Sequence, residues 1–282
     1  MMQTAEQTRE LAGQRLKALV ADPNTDLPSV ISLLMALNNT IMTATWLGNT
    51  EAVAHWEEQN GDLIASMPVG IQAQIPDGFR ADDSYFGAAE AWLELDPGNI
   101  AEAERLLTKI DALKVKRKGS SFHATILADN LSYNSSPRAA YDFALRWFLS
   151  HADEPDSGSL LNRVAALGTS YLSTNNHDAN ASMRQQLKDL ETRYADVVRR
   201  HDRQRADELR AANAGLEQPR PIANWEQHII ASQFLWDQVI YAEMNNDPDL
   251  ADLASRFVTM YPQHPSVEAA NQILRQKADS GR

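Results

Sequence analysis

Apolar residues recur at helical spacing along nearly the whole chain, and this periodicity restricts the fold more than any other feature. Alanine, leucine, glutamine, glutamate and arginine, which favour helices, are abundant among the 282 residues. No stretch alternates apolar and polar residues with the period of two that marks a strand, and no Asn-Gly or Asp-Gly turn separates β-branched runs. The sequence therefore predicts an all-α protein of about a dozen helices.

Proline, glycine and short polar residues separate the predicted helices. The pattern places helices over 4–20, 27–47, 51–66, 84–95, 100–116, 120–131, 138–151, 159–172, 181–213, 222–245, 249–260 and 266–278. Thr50 is the predicted N-cap of the third helix, and 68–83 and 173–180 are predicted to be irregular. Because the links are short, consecutive helices are expected to pack antiparallel, as a stack of helical hairpins.

Two prolines, Pro219 and Pro221, mark the predicted hinge at 215–221. It would separate an N-terminal helical array, 1–214, from a C-terminal group of helices, 222–282. One continuous domain is the alternative.

The net charge of −12 makes phosphate backbones and anionic lipids poor partners, so we expect neither nucleic-acid nor membrane binding. A neutral or basic protein or peptide fits such a surface better, although acidity also serves solubility alone. The chain has no cysteine, which excludes disulfides and thiolate chemistry.

The N-terminal residues, 1–21, do not form a signal peptide in this interpretation, because charged residues such as Arg9 and Glu10 interrupt them. The most apolar stretch, 30–37, is too short to span a bilayer. A cytoplasmic location is therefore expected.

Three turns, at 47–52, 95–103 and 246–251, resemble one another. Each precedes a helix that begins with a small residue and continues with larger apolar ones, a pattern that lets two helices approach closely where they cross. These residues are Ala52 and Trp56; Ala103, Leu107 and Ile110; and Ala251, Ala254 and Phe257.

These segments resemble the tetratricopeptide repeat family. The residues that carry the resemblance are Leu250, Ala254 and Phe257 with Tyr261-Pro262-Gln263-His264-Pro265; Trp92, Leu95, Asp96, Pro97 and Asn99; and Trp46-Leu47-Gly48 with Glu51-Ala52. The resemblance implies an α-solenoid whose concave face holds a peptide or a protein surface. It assigns no residue to a peptide-clamping position.

A heptad stripe lies on the predicted helix 181–213. Its members, spaced four, three, four, three and four apart, are Met183, Leu187, Leu190, Tyr194, Val197 and His201. The stripe would pack within the chain, or contact a partner helix or a second copy in a homodimer. Tyr194 and His201 are therefore candidate partner-binding residues.

Six tryptophans are present, and two of them, Trp225 and Trp236, flank an apolar helix near the C-terminus. Core packing between hairpins is one interpretation. An exposed aromatic row on a concave face would instead bind a partner, so both residues are candidate contacts.

Asp82 and Asp83 are adjacent carboxylates before a helix and resemble the acidic motif of all-helical terpene cyclases, which binds magnesium and diphosphate. No second metal-binding motif follows downstream. Helix capping with favourable charge in the first turn is the other interpretation.

No catalytic, cofactor-binding or metal-binding residue is predicted, because the chain has no Gly-x-Ser-x-Gly elbow, phosphate-binding loop or His-x-x-x-His pair. The leading hypothesis is a non-enzymatic helical-repeat adaptor, chaperone or inhibitor-like binder of a protein. The alternatives are a metal-dependent all-α enzyme that uses Asp82 and Asp83, and a self-assembling structural subunit.

Overall fold

The computed structural model describes residues 1–21, 26–171 and 177–280, and these form fifteen helices with no strand among them. The predicted all-α class is thus confirmed. The predicted break at 22–24 lies outside the described residues.

The chain divides into two compact units, 1–135 and 136–282. The helices of the first unit are α1 (Met2–Val20), α2 (Leu27–Trp46), α3 (Thr50–Ala65), α4 (Val69–Gln72), α5 (Ala81–Leu95), α6 (Ile100–Ala112) and α7 (Ser120–Asn134). Those of the second are α8 (Pro137–His151), α9 (Ser157–Tyr171), α10 (His177–Arg193), α11 (Ala195–Ala214), α12 (Asn224–Gln227), α13 (Ile229–Met244), α14 (Leu250–Met260) and α15 (Val267–Ser280).

The first unit packs mainly in chain order: α1 on α2, α2 on α3, α3 on α5, and α5 on α6 and α7. Its core consists of small and branched side chains, with Leu16, Leu37 and Leu107 almost fully buried. This succession is what short links between amphipathic helices produce.

Helices α3 and α5 of the first unit approach each other closely at Gly61. A Cβ atom at Gly61 would lie 2.5 Å from ring carbons of Tyr85. The Tyr85 hydroxyl donates a hydrogen bond to Asp62 Oδ1 at 2.8 Å. The missing side chain at Gly61 therefore makes room for the aromatic ring that joins the two helices.

The second unit does not pack strictly in chain order. Helix α13 contacts α9, α10 and α11 as well as α14, its successor in the chain. Phe234 and Val239 on α13 are almost fully buried. Helix α13 therefore occupies the centre of this unit, and α14 and α15 extend it as a further hairpin.

Two of the three similar turns share one hydrogen-bond arrangement. Asp96 Oδ1 accepts the backbone N–H of Gly98, and Asp247 Oδ1 accepts that of Asp249, at 2.8 and 2.9 Å. In each turn a proline separates the aspartate from the donor. This is the Asx turn, in which a carboxylate replaces a backbone acceptor.

Several predicted helix boundaries need correction. Asn49, not Thr50, caps α3, because its side chain accepts the N–H of Ala52 at 3.1 Å. The predicted irregular stretch 68–83 contains α4 and the first turn of α5, and α10 begins at His177 inside the predicted turn 173–180. Residues 173–176 of that turn lie outside the described part.

Two predicted helices are each divided in the structure. Tyr194 separates α10 from α11, and its ring meets Phe148 of α8 edge-on at 4.7 Å. His228 separates α12 from α13, where Asp202 Oδ1 accepts the N–H of Ile230 at 3.3 Å. Tertiary contacts thus outweigh local helical preference at both positions.

The predicted hinge at 215–221 lies inside the second unit. Asn213 holds it at one end, because its side chain donates to the carbonyl of Arg220 and accepts the N–H of that residue. A hinge motion at this segment stays a prediction.

Substituting Gly61 with alanine tests the contact between α3 and α5. The added methyl group would clash with the Tyr85 ring, so we expect the free energy of unfolding to fall by about 1–3 kcal/mol in urea denaturation. Gly13→Ala, at a position with no atom within 4 Å of the new Cβ, is the control and should not destabilise the chain. Equal effects of the two substitutions would contradict the close packing.

Candidate functional site

A cleft of about 700 Å³ lies between α1 and α3, and we call it the α1–α3 cleft. Helix α1 lines it with Glu6, Arg9, Glu10, Gly13, Gln14 and Lys17. Leu63 of α3 supplies partly exposed apolar surface; Leu37 of α2 and Trp56 of α3 also line the cleft but are only 2% and 8% exposed. The α1 residues extend over about 16 Å of helix, enough to hold several residues of another chain.

Arg9 is the charged residue at the inner side of this cleft, and only 8% of it is exposed. Its Nη2 donates to the carbonyl of Trp56 at 2.5 Å and to Asn60 Oδ1 at 2.8 Å. Its Nε donates to Gln59 Oε1 at 3.2 Å, and its Nη1 to Thr40 Oγ1 at 3.5 Å. One side chain on α1 thereby holds both α2 and α3.

All four of these acceptors are neutral. Among the described residues, no carboxylate lies within ion-pairing distance of Arg9. Burial lowers the pKa of Arg9 to about 10, and the negative charge of Glu57 opposes that shift. A guanidinium has five N–H donors, and Nη1 of Arg9 uses one of its two among the described residues.

Gly13 lies in the interior of α1 and lines the cleft. A Cβ atom added there would meet nothing within 4 Å, and its backbone φ is not positive. Neither an unusual backbone conformation nor close packing inside the chain therefore requires glycine at this position. Its effect is to keep the cleft open at its middle.

The mouth of the cleft carries charge of both signs. Glu6 and Glu10 lie one helical turn apart on α1, and Lys17 lies two turns beyond Glu10. All three are exposed, and no ion pair involving them is found in the described part of the chain. Asp62, across the cleft, already pairs with Lys109 at 2.6 Å.

Trp225 and Trp236, predicted as candidate contacts, both pack inside the second unit. The Trp225 ring meets His264 edge-on at 5.2 Å, and Trp236 lies 5.0 Å from Phe257. Both rings are partly buried against the core of α13, α14 and α15. The structure therefore favours core packing and does not bring them together as an exposed row.

The heptad stripe is also covered within the chain. Its buried members are Met183, Leu187, Leu190 and Val197. Helices α10 and α11, which carry them, pack on α9 and α13. The intrachain interpretation is the one observed, so this stripe is not a free surface for a second copy. A homodimer through another surface stays a prediction.

His201 lies against the start of α9, where a Cβ atom on Gly158 would overlap its ring. Its Nε2 is 3.4 Å from Ser159 Oγ, and its Nδ1 is 3.7 Å from Asp202 Oδ1. The second of these separations is too long for the hydrogen bond that would orient a histidine in a catalytic triad. The sequence does not indicate that Ser159 and His201 are neighbours, because the two residues are 42 positions apart in the chain.

Asp82 and Asp83 lie in the first turn of α5 and both bind backbone N–H groups. Asp82 Oδ2 accepts from Arg117 at 2.9 Å, and Asp83 Oδ2 accepts from Gly78 at 2.8 Å. His123 approaches Asp82 to 3.9 Å. The described residues contain no cluster of three or more such side chains placed to hold a metal ion.

Helix α2 carries no charged residue over its 20 residues. Met35, Met42 and Trp46 form an exposed ridge on it, with 51%, 43% and 81% of their surface exposed. In the described part of the chain, α2 alone is long and apolar enough to cross a membrane. The stretch 30–37, which by itself is too short to span a bilayer, lies within this helix; core helices and signal sequences share these properties.

Comparisons with protein-family models, with curated proteins and with solved structures found no match to this chain. Any function of the α1–α3 cleft must therefore be inferred from the residues that line it. In the sequence, Arg9 indicates only that 1–21 is not a signal peptide, and Gly13 indicates no site by itself. A glycine in the middle of a helical pattern was the signal that could have indicated the cleft.

A buried carboxylate in the second unit has a pH-dependent consequence for stability. Asp237 is 3% exposed, Gln233 donates to its Oδ1 at 2.7 Å, and the hydroxyl of Thr169 also favours the charged carboxylate. Burial, with a smaller contribution from the charge of Glu191, raises the pKa of Asp237 from 3.8 to about 7.

Because folding raises this pKa, the folded chain keeps a proton that the unfolded chain releases, and stability falls as pH rises from about 4 to about 7. Asp237→Asn should remove that dependence and raise the free energy of unfolding at pH 8 by about 1 kcal/mol or more. Urea denaturation from pH 4 to pH 8 measures it, with exposed Asp252→Asn as the control. An unchanged pH dependence in Asp237→Asn would show that Asp237 ionises normally.

Proposed function

We propose that this chain is a non-enzymatic protein-interaction module that holds a segment of its partner in the α1–α3 cleft. In this proposal the helices are stacked hairpins of the tetratricopeptide-like kind. The partner is a protein or peptide, and the protein acts in the cytoplasm as an adaptor, chaperone or inhibitor-like binder.

Two features support the repeat-like architecture. The helices of the first unit pack mainly in chain order, as they do in a solenoid. The Asp96 and Asp247 turns use the same Asx hydrogen bond before a new helix. Such repeats bind peptides on surfaces formed by successive helices, and the α1–α3 cleft is a surface of that kind.

Gly13 is the observation that carries the proposal. Glycine in a helix interior costs about 1 kcal/mol relative to alanine. No packing or backbone requirement within the chain accounts for it, since the space beside it is open. A ligand lying across α1 would use this space, because small residues let another chain approach a helix closely.

Filling the cleft at Gly13 tests the proposal. Gly13→Phe should keep the fold, because the new side chain enters open space, and should abolish binding of the partner. Gly13→Ala should keep both the fold and the binding of the partner. The measurement is quantitative mass spectrometry of proteins that co-purify with each tagged variant from the native source, after circular dichroism has shown equal helicity.

A partner that co-purifies in stoichiometric amount with the wild type and with Gly13→Ala, but not with Gly13→Phe, is the expected result. Equal recovery of every partner with Gly13→Phe would contradict binding in the cleft. Recovery of no partner with the wild type would contradict the interaction function itself.

A further inference from the structure

We infer that the segment bound in the α1–α3 cleft is basic and amphipathic, with a large apolar side chain over Gly13 and a lysine or arginine opposite Glu6 and Glu10. The inference rests on the proposed function and specifies the chemistry of the partner at that same cleft.

The charge requirement comes from Glu6 and Glu10. They are exposed on one face of α1 at the i and i+4 positions, where like charges repel. The one side-chain hydrogen bond of Glu10 comes from the neutral amide of Gln14 at 3.3 Å, and no described cation pairs with Glu6. A cationic side chain from the partner would replace this repulsion with attraction.

The apolar requirement comes from the walls of the cleft. Leu63 is partly exposed there and lines the cleft, together with the small exposed parts of Leu37 and Trp56, beside the open space over Gly13. An apolar side chain placed there would lose contact with water against these groups, which favours binding in proportion to the area buried. A segment with only charged side chains would gain no binding free energy from apolar contact in this part of the cleft.

Arg9 and Lys17 determine the orientation of the bound segment in the α1–α3 cleft. Arg9 is a cation at the inner side of the cleft, so a basic side chain of the partner is repelled from the interior and stays at the mouth. Lys17 repels basic residues from the other end, so the basic residues lie towards Glu6 and the end near Lys17 is neutral or acidic.

Selection of peptides from a random display library against the full chain tests this chemistry. Wild-type protein is the bait. Peptides that bind the wild type but not the Gly13→Phe variant are the ones that bind in the cleft. We expect these peptides to be enriched in lysine or arginine on one side of a large apolar residue. Gly13-dependent peptides that are neutral or acidic would overturn the inferred chemistry but leave the proposed function intact.

A matched pair of double variants then separates local charge from net charge. Glu6→Gln with Glu10→Gln, and Glu51→Gln with Glu94→Gln, change the net charge by the same amount through the same substitution at exposed positions of the first unit. The first pair removes the cleft carboxylates, while Glu51 and Glu94 do not line the cleft.

The Glu6→Gln, Glu10→Gln variant should bind the selected peptides about tenfold more weakly, as the loss of two exposed ion pairs implies. The Glu51→Gln, Glu94→Gln variant should bind them within about twofold of wild type. Equal weakening by both variants would show a general charge effect and overturn the assignment to Glu6 and Glu10. If no selected peptide depends on Gly13, the proposed function fails as well.

Discussion

The buried guanidinium of Arg9 is the interaction on which the first three helices depend. A desolvated charge is costly unless its donors find acceptors, and Arg9 finds them in Thr40 of α2 and in Trp56, Gln59 and Asn60 of α3. These bonds join positions up to 51 residues apart. Any change in register between α1 and its neighbours would leave that charge unsatisfied, so the geometry of the cleft follows from this residue.

One face of α1 combines several features that reduce stability. Arg9 is buried without a carboxylate partner, Gly13 weakens the helix, and Glu6 and Glu10 repel each other. By contrast, Glu58 on α3 binds both Arg105 and Lys109. Local conflicts of this kind gather where a protein binds something, because the ligand relieves them.

The sequence predicted the helices well because their periodicity and their breakers are local. It placed most boundaries within a few residues, but it missed the divisions at Tyr194 and His228. Contacts with Phe148 and Asp202, far away in the chain, accompany those divisions. The heptad stripe was ambiguous for the same reason, since its spacing is identical whether the partner helix belongs to the same chain or to another.

The candidate site could not be predicted from the sequence, because its residues come from three helices. They form a cleft only after the chain has folded. Arg9 is an ordinary helical arginine until Asn60 and Trp56 surround it. Trp225 and Trp236 drew attention by residue type, yet packing in the core accounts for them. Residue type alone does not distinguish a buried aromatic ring from a binding contact.

Amide chemical shifts measure whether the α1–α3 cleft binds a basic amphipathic segment. A titration of the ¹⁵N-labelled full chain with a selected Gly13-dependent peptide would be followed by NMR. Binding in the cleft should give the largest shifts at Gly13, at the side-chain amides of Gln59 and Asn60, and at the indole of Trp56. Shifts confined to the exposed ridge of α2 or to the second unit would contradict it.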